Sequence, residues 1–321
     1  MARQAQGLYS WTDSPAVLRH IHRLISGDPD VGWLEYACRK YLLRDGKGVG
    51  RALSIGCGGG ALERQVRQMG ACELVDAIDL APEAIEGARK QAAREGISGI
   101  SYAVSNLDEL RLPQAIYDVV FASSSVHHVR DLEGLFASVK ASLKPDGILI
   151  MLEYVGPSQF QFTPRAVRII NDILKILPPA YTQRSSDPSA SKTEFTVPSI
   201  EQMNRDDPSE AIRSQDILPL LNETFAIVEK KDYGGTIHHM LLQDIIHNFE
   251  NGTVEGMAML RLLLYLETLL IREKVLESDF CFVVASPKRG AWRDNVFAER
   301  LRRSARYLWR RRSRVAEASS R

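Results

Sequence analysis

The sequence predicts an α/β fold: a seven-stranded, mostly parallel sheet with helices on both faces and helical insertions after the fifth and sixth strands. Three observations carry this prediction. Short apolar strand-like runs alternate with helical periodicity between residues 51 and 152. A glycine cluster, Gly56-Cys57-Gly58-Gly59-Gly60, joins the first such run to a helix. An acid, Asp79, ends the second run, 23 residues beyond Gly56.

The elements follow in order. Residues 8–45 read as helical, with Leu18, Ile21, His22 and Ile25 at helical spacing and a break at Gly27-Asp28-Pro29. Arg51 to Ile55 is a short apolar strand, Ala61 to Met69 a helix and Glu73 to Ile78 a strand. Pro82 to Glu95 is a helix opened by Pro at its first turn, where a missing N–H costs nothing. Ile100 to Val104 and Tyr117 to Ala122 are the third and fourth strands, and Leu132 to Leu143 is a helix. A Lys144-Pro145-Asp146-Gly147 turn leads into a fifth strand, Gly147 to Leu152. The rhythm then changes: residues 156–208 are rich in Pro, Ser and Asp, with one amphipathic helix from Pro164 to Leu177. A helix at Ser209 to Leu221, a strand at Ala226 to Lys231 and helices over 238–249 and 256–276 come next. Phe280 to Ala285 is the last strand.

Composition sets the outer limits. At 45% hydrophobic and 25% charged residues, the 321-residue chain has the balance of an ordinary globular protein. Its net charge of +1 hides an asymmetry, because Ser286 to Arg321 holds twelve Lys or Arg against three acids and leaves the rest net acidic. Cys38, Cys57, Cys72 and Cys281 show neither a zinc spacing nor a disulfide framework, and a reducing cytoplasm fits them. Met1 to Ser14 lacks the apolar run of a signal peptide, and Met257 to Ile271, interrupted by Arg261 and Glu267, is too short to span a bilayer.

The glycine cluster and Asp79 point to a nucleoside-containing ligand. Glycines let the backbone turn sharply and approach the ligand, and a carboxylate at the end of the second strand can accept both hydroxyls of a ribose. At this level NAD remains open, since Gly56, Gly58 and Ala61 also satisfy a GxGxxG/A pattern. A tight turn with Asp79 as a helix cap is the alternative without a ligand.

Residues further on resemble the ordered motifs of class I S-adenosylmethionine-dependent methyltransferases. The glycine run resembles their first motif, and Val75-Asp76-Ala77-Ile78-Asp79-Leu80 their second strand with its ribose-binding acid. Val104-Ser105-Asn106-Leu107 is similar to the loop that meets adenine. Tyr117-Asp118-Val119-Val120-Phe121, followed by Ser125-Val126-His127-His128-Val129, resembles the fourth-strand motif, and Leu143 to Ile150 the turn into the fifth strand. The resemblance implies a Rossmann-like core with S-adenosyl-L-methionine as cofactor and S-adenosyl-L-homocysteine as product. It assigns Gly56, Cys57, Gly58 and Gly60 to the methionine and ribose, Asp79 and Leu80 to the ribose, and Asn106 and Leu107 to adenine. Ser123, ending the fourth strand, completes the expected cofactor set. Two positions depart from the pattern. Ser54 stands where the family usually has an acid that helps hold the methionine end, so either another group does so or the grip there is weaker. Asn106 replaces the commoner Asp and can still bond an amino group through its carbonyl oxygen.

Glu153 to Ser158, Asp207 to Ser214 and Gly234-Gly235-Thr236 resemble a methyltransferase subfamily of bacterial biosynthetic clusters, a likeness running from Tyr9 to Ala285. It names no acceptor. No Asn-Pro-Pro-Tyr run of the DNA- or protein-methylating kind occurs, so the expected acceptor is a small-molecule or glycan oxygen rather than nucleic acid. A hydroxyl acceptor gains from a base. The candidates are His127 and His128, past the fourth strand, and Glu153, ending the fifth; packing and capping are their alternative roles. Of His238, His239 and His247, the last two fall on a similar helical face, but no acidic partner completes a ligand set; pocket lining or surface is expected of them rather than a metal site. Tyr9 and Trp11 read either as a lid or as ordinary packing.

The chain therefore divides into an N-terminal helical lid (1–45), a cofactor core (46–155), acceptor-cap helices with the last two strands (156–286) and a basic tail (287–321). In the tail, Phe297, Leu301, Ala305 and Leu308 form one helical face, opposite Arg302, Arg303, Arg306 and Arg310. Such a helix, over 290–314, can lie on an anionic membrane at its inner face, meet a protein partner, form a homodimer contact or pack on its own domain. Two rival functions stand: an NAD-dependent oxidoreductase, for which no Tyr-x-x-x-Lys motif is present, and a non-catalytic methyltransferase-fold module held by its tail.

Overall fold

The computed structural model describes residues 9–288. The expectations for the basic tail, including 290–314, lie outside the described residues. Within them the chain forms two compact units, one of residues 9–32, 154–214 and 231–281, the other of residues 33–153, 215–230 and 282–288. These units cut the chain differently from the four segments read along the sequence.

The second unit carries nearly all of a seven-stranded sheet. Its strands are β1 (Val49–Ile55), β2 (Cys72–Asp79), β3 (Ile100–Val104), β4 (Tyr117–Ser123), β5 (Leu143–Tyr154), β6 (Phe225–Gly234) and β7 (Phe280–Pro287). They lie in the order β3-β2-β1-β4-β5-β7-β6. The ladders β1–β2, β1–β4, β2–β3 and β4–β5 are all parallel. Central strands buried on both faces read as continuous apolar runs rather than alternating ones, and Val119, Val120, Phe121 and Ala122 of β4 are fully buried. Crossovers use α3 (Ala61–Gln68), α4 (Pro82–Arg94) and α5 (Leu132–Ser142). Ala77, Ile85, Ala88, Ala92 and Tyr102 form the core between α4 and the β2–β3 edge. Asp131 caps α5 by accepting from the Gly134 N–H at 3.0 Å.

Two expectations need correction here. The Lys144–Gly147 turn does not precede β5 but bulges within it, since Tyr117 pairs with Leu143 and Val119 already with Ile148. The helix expected from Ser209 begins later, as α8 (Ile217–Thr224) after a 3₁₀ turn at Ser214–Asp216. Pro219 explains the shift. Proline has no N–H and collides with the preceding turn, so it is tolerated only in a helix's first turn.

The N-terminal part of this unit, α2 (Trp33–Ala37) and a π turn over Cys38–Leu42, is tied to β6 by one half-buried carboxylate. Glu229 accepts from Tyr36 Oη at 2.9 Å, Tyr41 Oη at 2.7 Å and Lys40 Nζ at 2.9 Å. Burial alone would raise its pKa, but Lys40 and the two phenols hold it below the ordinary carboxylate range.

The first unit is mainly helical: α1 (Pro15–Ser26), α6 (Pro164–Ile176), α7 (Ile200–Asp206), α9 (His238–Leu242) and α10 (Val254–Arg272). The helix expected over 238–249 breaks at Asp244, which has φ 71° and accepts from Arg184, Ser185 and Ser186. His238 does have an acidic partner, contributed by α10: its Nδ1 lies 2.8 Å from Glu267 Oε2. Glu267 also accepts from the backbone N–H groups of Gly235, Ile237 and His238. Trp11, Tyr154, Phe160 and Phe280 surround the His239 ring with centroid separations of 5.4–6.4 Å. Among the described residues no helix is long and apolar enough to cross a membrane.

Candidate active site

Strand order reverses between β1 and β4, since β1 leads on one side to β2 and β3 while β4 leads on the other to β5. In such sheets ligands bind beyond the carboxyl ends of the strands at this switch point. The loops after β1 and β4 meet here. Gly56 has φ +64°, and a Cβ on it would fall 2.2 Å from Ser125 Cβ. Ser125 Oγ donates to the Ile55 carbonyl at 3.0 Å, so the loop after β4 is fastened to the end of β1. Both the backbone conformation and the close approach demand glycine at 56.

The rest of the glycine loop fits a ligand lying against its backbone. Gly58 has φ +50°, and a Cβ at Gly58 or Gly59 would meet nothing within 4 Å, so a bound group can approach the chain there. Gly60 is constrained from within, because a Cβ would reach 2.5 Å from Tyr102 Oη. Cys57 is half-buried, and burial, with Glu63 and Asp79 nearby, pushes its thiol up to about 12; it is a neutral packing group.

Asp79, at the end of β2, accepts from the Gly58 N–H at 2.7 Å and the Ala81 N–H at 2.9 Å. These bonds use about two of a carboxylate's four acceptor positions, and the other two remain for a diol. Leu80 is 66% exposed, and Val104, which pairs beside Asp79 in the β2–β3 ladder, is 51% exposed. Two large apolar side chains exposed on this edge suit the face of a planar base. Val104 was quoted in the sequence motif but not singled out. Asn106 is exposed, and its carbonyl oxygen caps the 3₁₀ turn Leu107–Glu109 by accepting from the Asp108 N–H at 3.1 Å. That oxygen is therefore partly committed to the turn. Leu107 and Ser123 are half-buried at the ends of their elements.

The three candidate bases do not play equivalent parts. Glu153 is completely buried, and its Oε2 accepts from the Ser125 N–H at 2.9 Å and the Val126 N–H at 2.8 Å. Its Oε1 is hydrogen-bonded to His127 Nδ1. Burial would raise the Glu153 carboxyl, but the His127 imidazole and the two backbone donors outweigh it and hold the group below the ordinary range. An ionised carboxylate makes Nδ1 the donor, which puts the basic lone pair of His127 on Nε2. Glu153 thus orients the His127 ring and the loop after β4. His128 is half-buried beside it, with ring centroids 4.3 Å apart. Ser125 is the residue that sequence reading passed over. Its place before the two histidines gives no hint that it also fastens β1.

A glycine loop at a switch point, an acid ending β2 and an apolar edge define a nucleoside-binding α/β core. Residues 53–151 match the family model described as a methyltransferase domain. Over that span the core is similar to a methyltransferase domain, in line with the resemblance to class I S-adenosylmethionine-dependent methyltransferases that the sequence motifs carry. Over 106 residues the chain is 36% identical to the ubiquinone biosynthesis O-methyltransferase of Haemophilus ducreyi, covering 32% of this chain and 44% of that protein. Over 174 residues it is 29% identical to the demethylmenaquinone methyltransferase of Tropheryma whipplei, covering 54% of this chain and 66% of that one. A solved S-adenosylmethionine-dependent methyltransferase from Mesorhizobium loti is 19% identical, with a TM-score of 0.44 over 79% of this chain and 96% of that chain. The chain spans less than half the length of the ubiquinone-biosynthesis relative.

Proposed function

We propose that the chain methylates a hydroxyl oxygen of a small-molecule acceptor. The observation that carries this reading is the His127–Glu153 pair, held beside the glycine loop at the switch point. The relatives named for ubiquinone biosynthesis and for demethylmenaquinone support an acceptor of low molecular weight, and the name of the former an oxygen acceptor.

The cofactor, when bound, supplies a methyl group on a sulfonium whose leaving thioether needs no proton. The chain has to hold, dehydrate and deprotonate the acceptor. The loop Gly56–Gly60 offers backbone to the methionine and ribose, Asp79 its remaining acceptor positions to the ribose, and Leu80, Asn106 and Leu107 the adenine contacts. His127 takes the acceptor's proton at Nε2. Ionised Glu153 keeps the ring oriented and offsets the charge that the imidazole gains. A cytoplasmic location, peripheral to the membrane through the basic tail, belongs to the same proposal.

Two experiments test it. Calorimetry of the purified chain with S-adenosylmethionine, S-adenosylhomocysteine and NAD should show binding of the first two only; NAD binding alone would replace this reading with an oxidoreductase. Methyl-labelled cofactor offered with phenols, other small alcohols and glycans should label an oxygen of a small molecule. His127→Ala should then cut turnover about 10²-fold or more while leaving cofactor affinity intact. Normal turnover would remove His127 as the base.

A further inference from the structure

Beneath the glycine loop lies a carboxyl group that the site as described does not use. Glu63, in the first turn of α3, is 0% exposed, and neither of its oxygens has a hydrogen-bond partner. An acid so placed is costly unless something repays it, because a buried charge without a counter-charge is strongly disfavoured. Its neighbours do not supply one. The Ser54 hydroxyl of β1, the backbone of Glu63 and the charge of Arg64 ease the charged form without offsetting burial, while Asp79 of β2 opposes it. Tyr102 of β3 and Cys57 of the loop are also close, and burial pushes each of them up to about 12, so both are neutral. Tyr102 Oη has no hydrogen-bond partner either. The nearby cation, Arg64, is engaged elsewhere, with Nε 3.2 Å from Glu95 and Nη1 donating to the Gly59 carbonyl at 2.7 Å. Burial accordingly raises the Glu63 carboxyl and favours its neutral form.

We propose that Glu63 is the counter-charge for the α-ammonium of the cofactor's methionine end, ionising as that cofactor binds against the glycine loop. This rests on the S-adenosylmethionine reading of the site. The chemistry is simple: the α-ammonium, which S-adenosylmethionine and S-adenosylhomocysteine share, brings a positive charge to a poorly solvated place, and Glu63 answers by releasing its proton to the solvent. A charge arriving close by in a medium of low dielectric favours the ionised acid without touching it. Glu63 is then a positioning residue that acts across the loop. It also accounts for Ser54, since one carboxylate suffices in this space and α3 supplies it in place of β1.

The test compares three ligands on the full chain, wild type against Glu63→Gln. S-adenosylmethionine and S-adenosylhomocysteine carry the amino-acid end; 5′-methylthioadenosine keeps the nucleoside and lacks it. Calorimetry in two buffers of different ionisation enthalpy reads affinity and proton release together, and thermal melting of the cofactor-free proteins checks folding. Wild type should bind the two amino-acid ligands with release of a proton, and more weakly at lower pH as Glu63 is held protonated. Glu63→Gln should melt no lower than wild type, release no proton, and bind both more weakly by about ten- to a hundredfold, the scale of one interaction with a charged group. Its affinity for 5′-methylthioadenosine should be unchanged. Equal loss for all three ligands, or no loss for any, would overturn the proposal, as would unaltered proton release in the variant. Wild type that binds none of the three would overturn the cofactor reading itself, and this inference with it.

Discussion

Glu153 can be probed before any acceptor is known, because its work is structural as well as chemical. Glu153→Ala strips the acceptor from two buried backbone N–H groups, those of Ser125 and Val126, and from His127 Nδ1. Each buried polar group left without a partner costs about 1–3 kcal/mol. Three of them give about 3–9 kcal/mol, and water entering the emptied space brings the expected loss to about 3–5 kcal/mol. Glu153→Gln keeps one oxygen for the backbone pair but turns an amide N–H₂ toward the imidazole, so it should cost only about 1–2 kcal/mol. The amide also favours the opposite tautomer, which moves the proton onto Nε2 and removes the base. Urea denaturation followed by circular dichroism at neutral pH measures both losses. The pH dependence has a definite sign. The folded pKa of Glu153 is depressed, so its contribution is present above the unfolded carboxylate value and is lost as pH falls through the folded one. The gap between wild type and Glu153→Gln should therefore narrow in acid. If Glu153→Ala lost less than about 1 kcal/mol, the loop after β4 would not depend on this carboxylate.

Other expectations follow from the same geometry. Asp79→Ala should weaken cofactor binding by about 1.5–3 kcal/mol in calorimetry, the scale for hydrogen bonds to a charged group; unchanged affinity would move the ribose elsewhere. Gly56→Ala adds a left-handed residue and a contact with Ser125, for about 2–5 kcal/mol lost in urea denaturation. In the first unit, burial would raise Glu267, but His238 and the backbone donors lower it from 4.5 to about 2. Its contribution should fade as pH falls across that window, and a titration of the urea midpoint should lose this slope in Glu267→Gln. Full-length protein is expected to co-sediment with anionic vesicles at low salt through residues 290–314, and less so at physiological salt. Equal, negligible sedimentation throughout would reject the membrane role and leave a protein partner, a dimer contact or packing on its own domain for the tail.

Much of the core was legible because its signals are local. Strands β1 to β4 came within three residues of their observed bounds, since apolar runs, glycines and Pro82 mark them along the chain. The α8 start was misplaced because helical periodicity over Ser209 to Leu221 outweighed Pro219 in the reading. Pairings across the fold were harder to see. His127 and Glu153 were both named, yet their division of labour depends on adjacent parallel strands β4 and β5 bringing their ends together. The pairing of His238 with Glu267 was not foreseen because Glu267 arrives from α10, where it read as a charge interrupting an apolar run. Glu63 gave no signal at all. An acid in the first turn of a helix usually faces water and favours the helix dipole, and only the packing of α3 on the sheet shows that this one does not.

The anchoring of the loop after β4 also has a consequence for how the protein is made. As the chain leaves the ribosome, β1, β2 and β3 emerge ahead of the other strands, so the loop between β1 and α3 can form early. Residues 124–129 emerge soon after, but the carboxylate that fastens them is the penultimate residue of β5. Until Glu153 has been added, the amides of Ser125 and Val126 and the ring of His127 have no such partner. A nascent chain halted before that point would hold the loop after β1 without the fastening of the loop after β4. The two loops that meet at the switch point are therefore completed at different moments of synthesis.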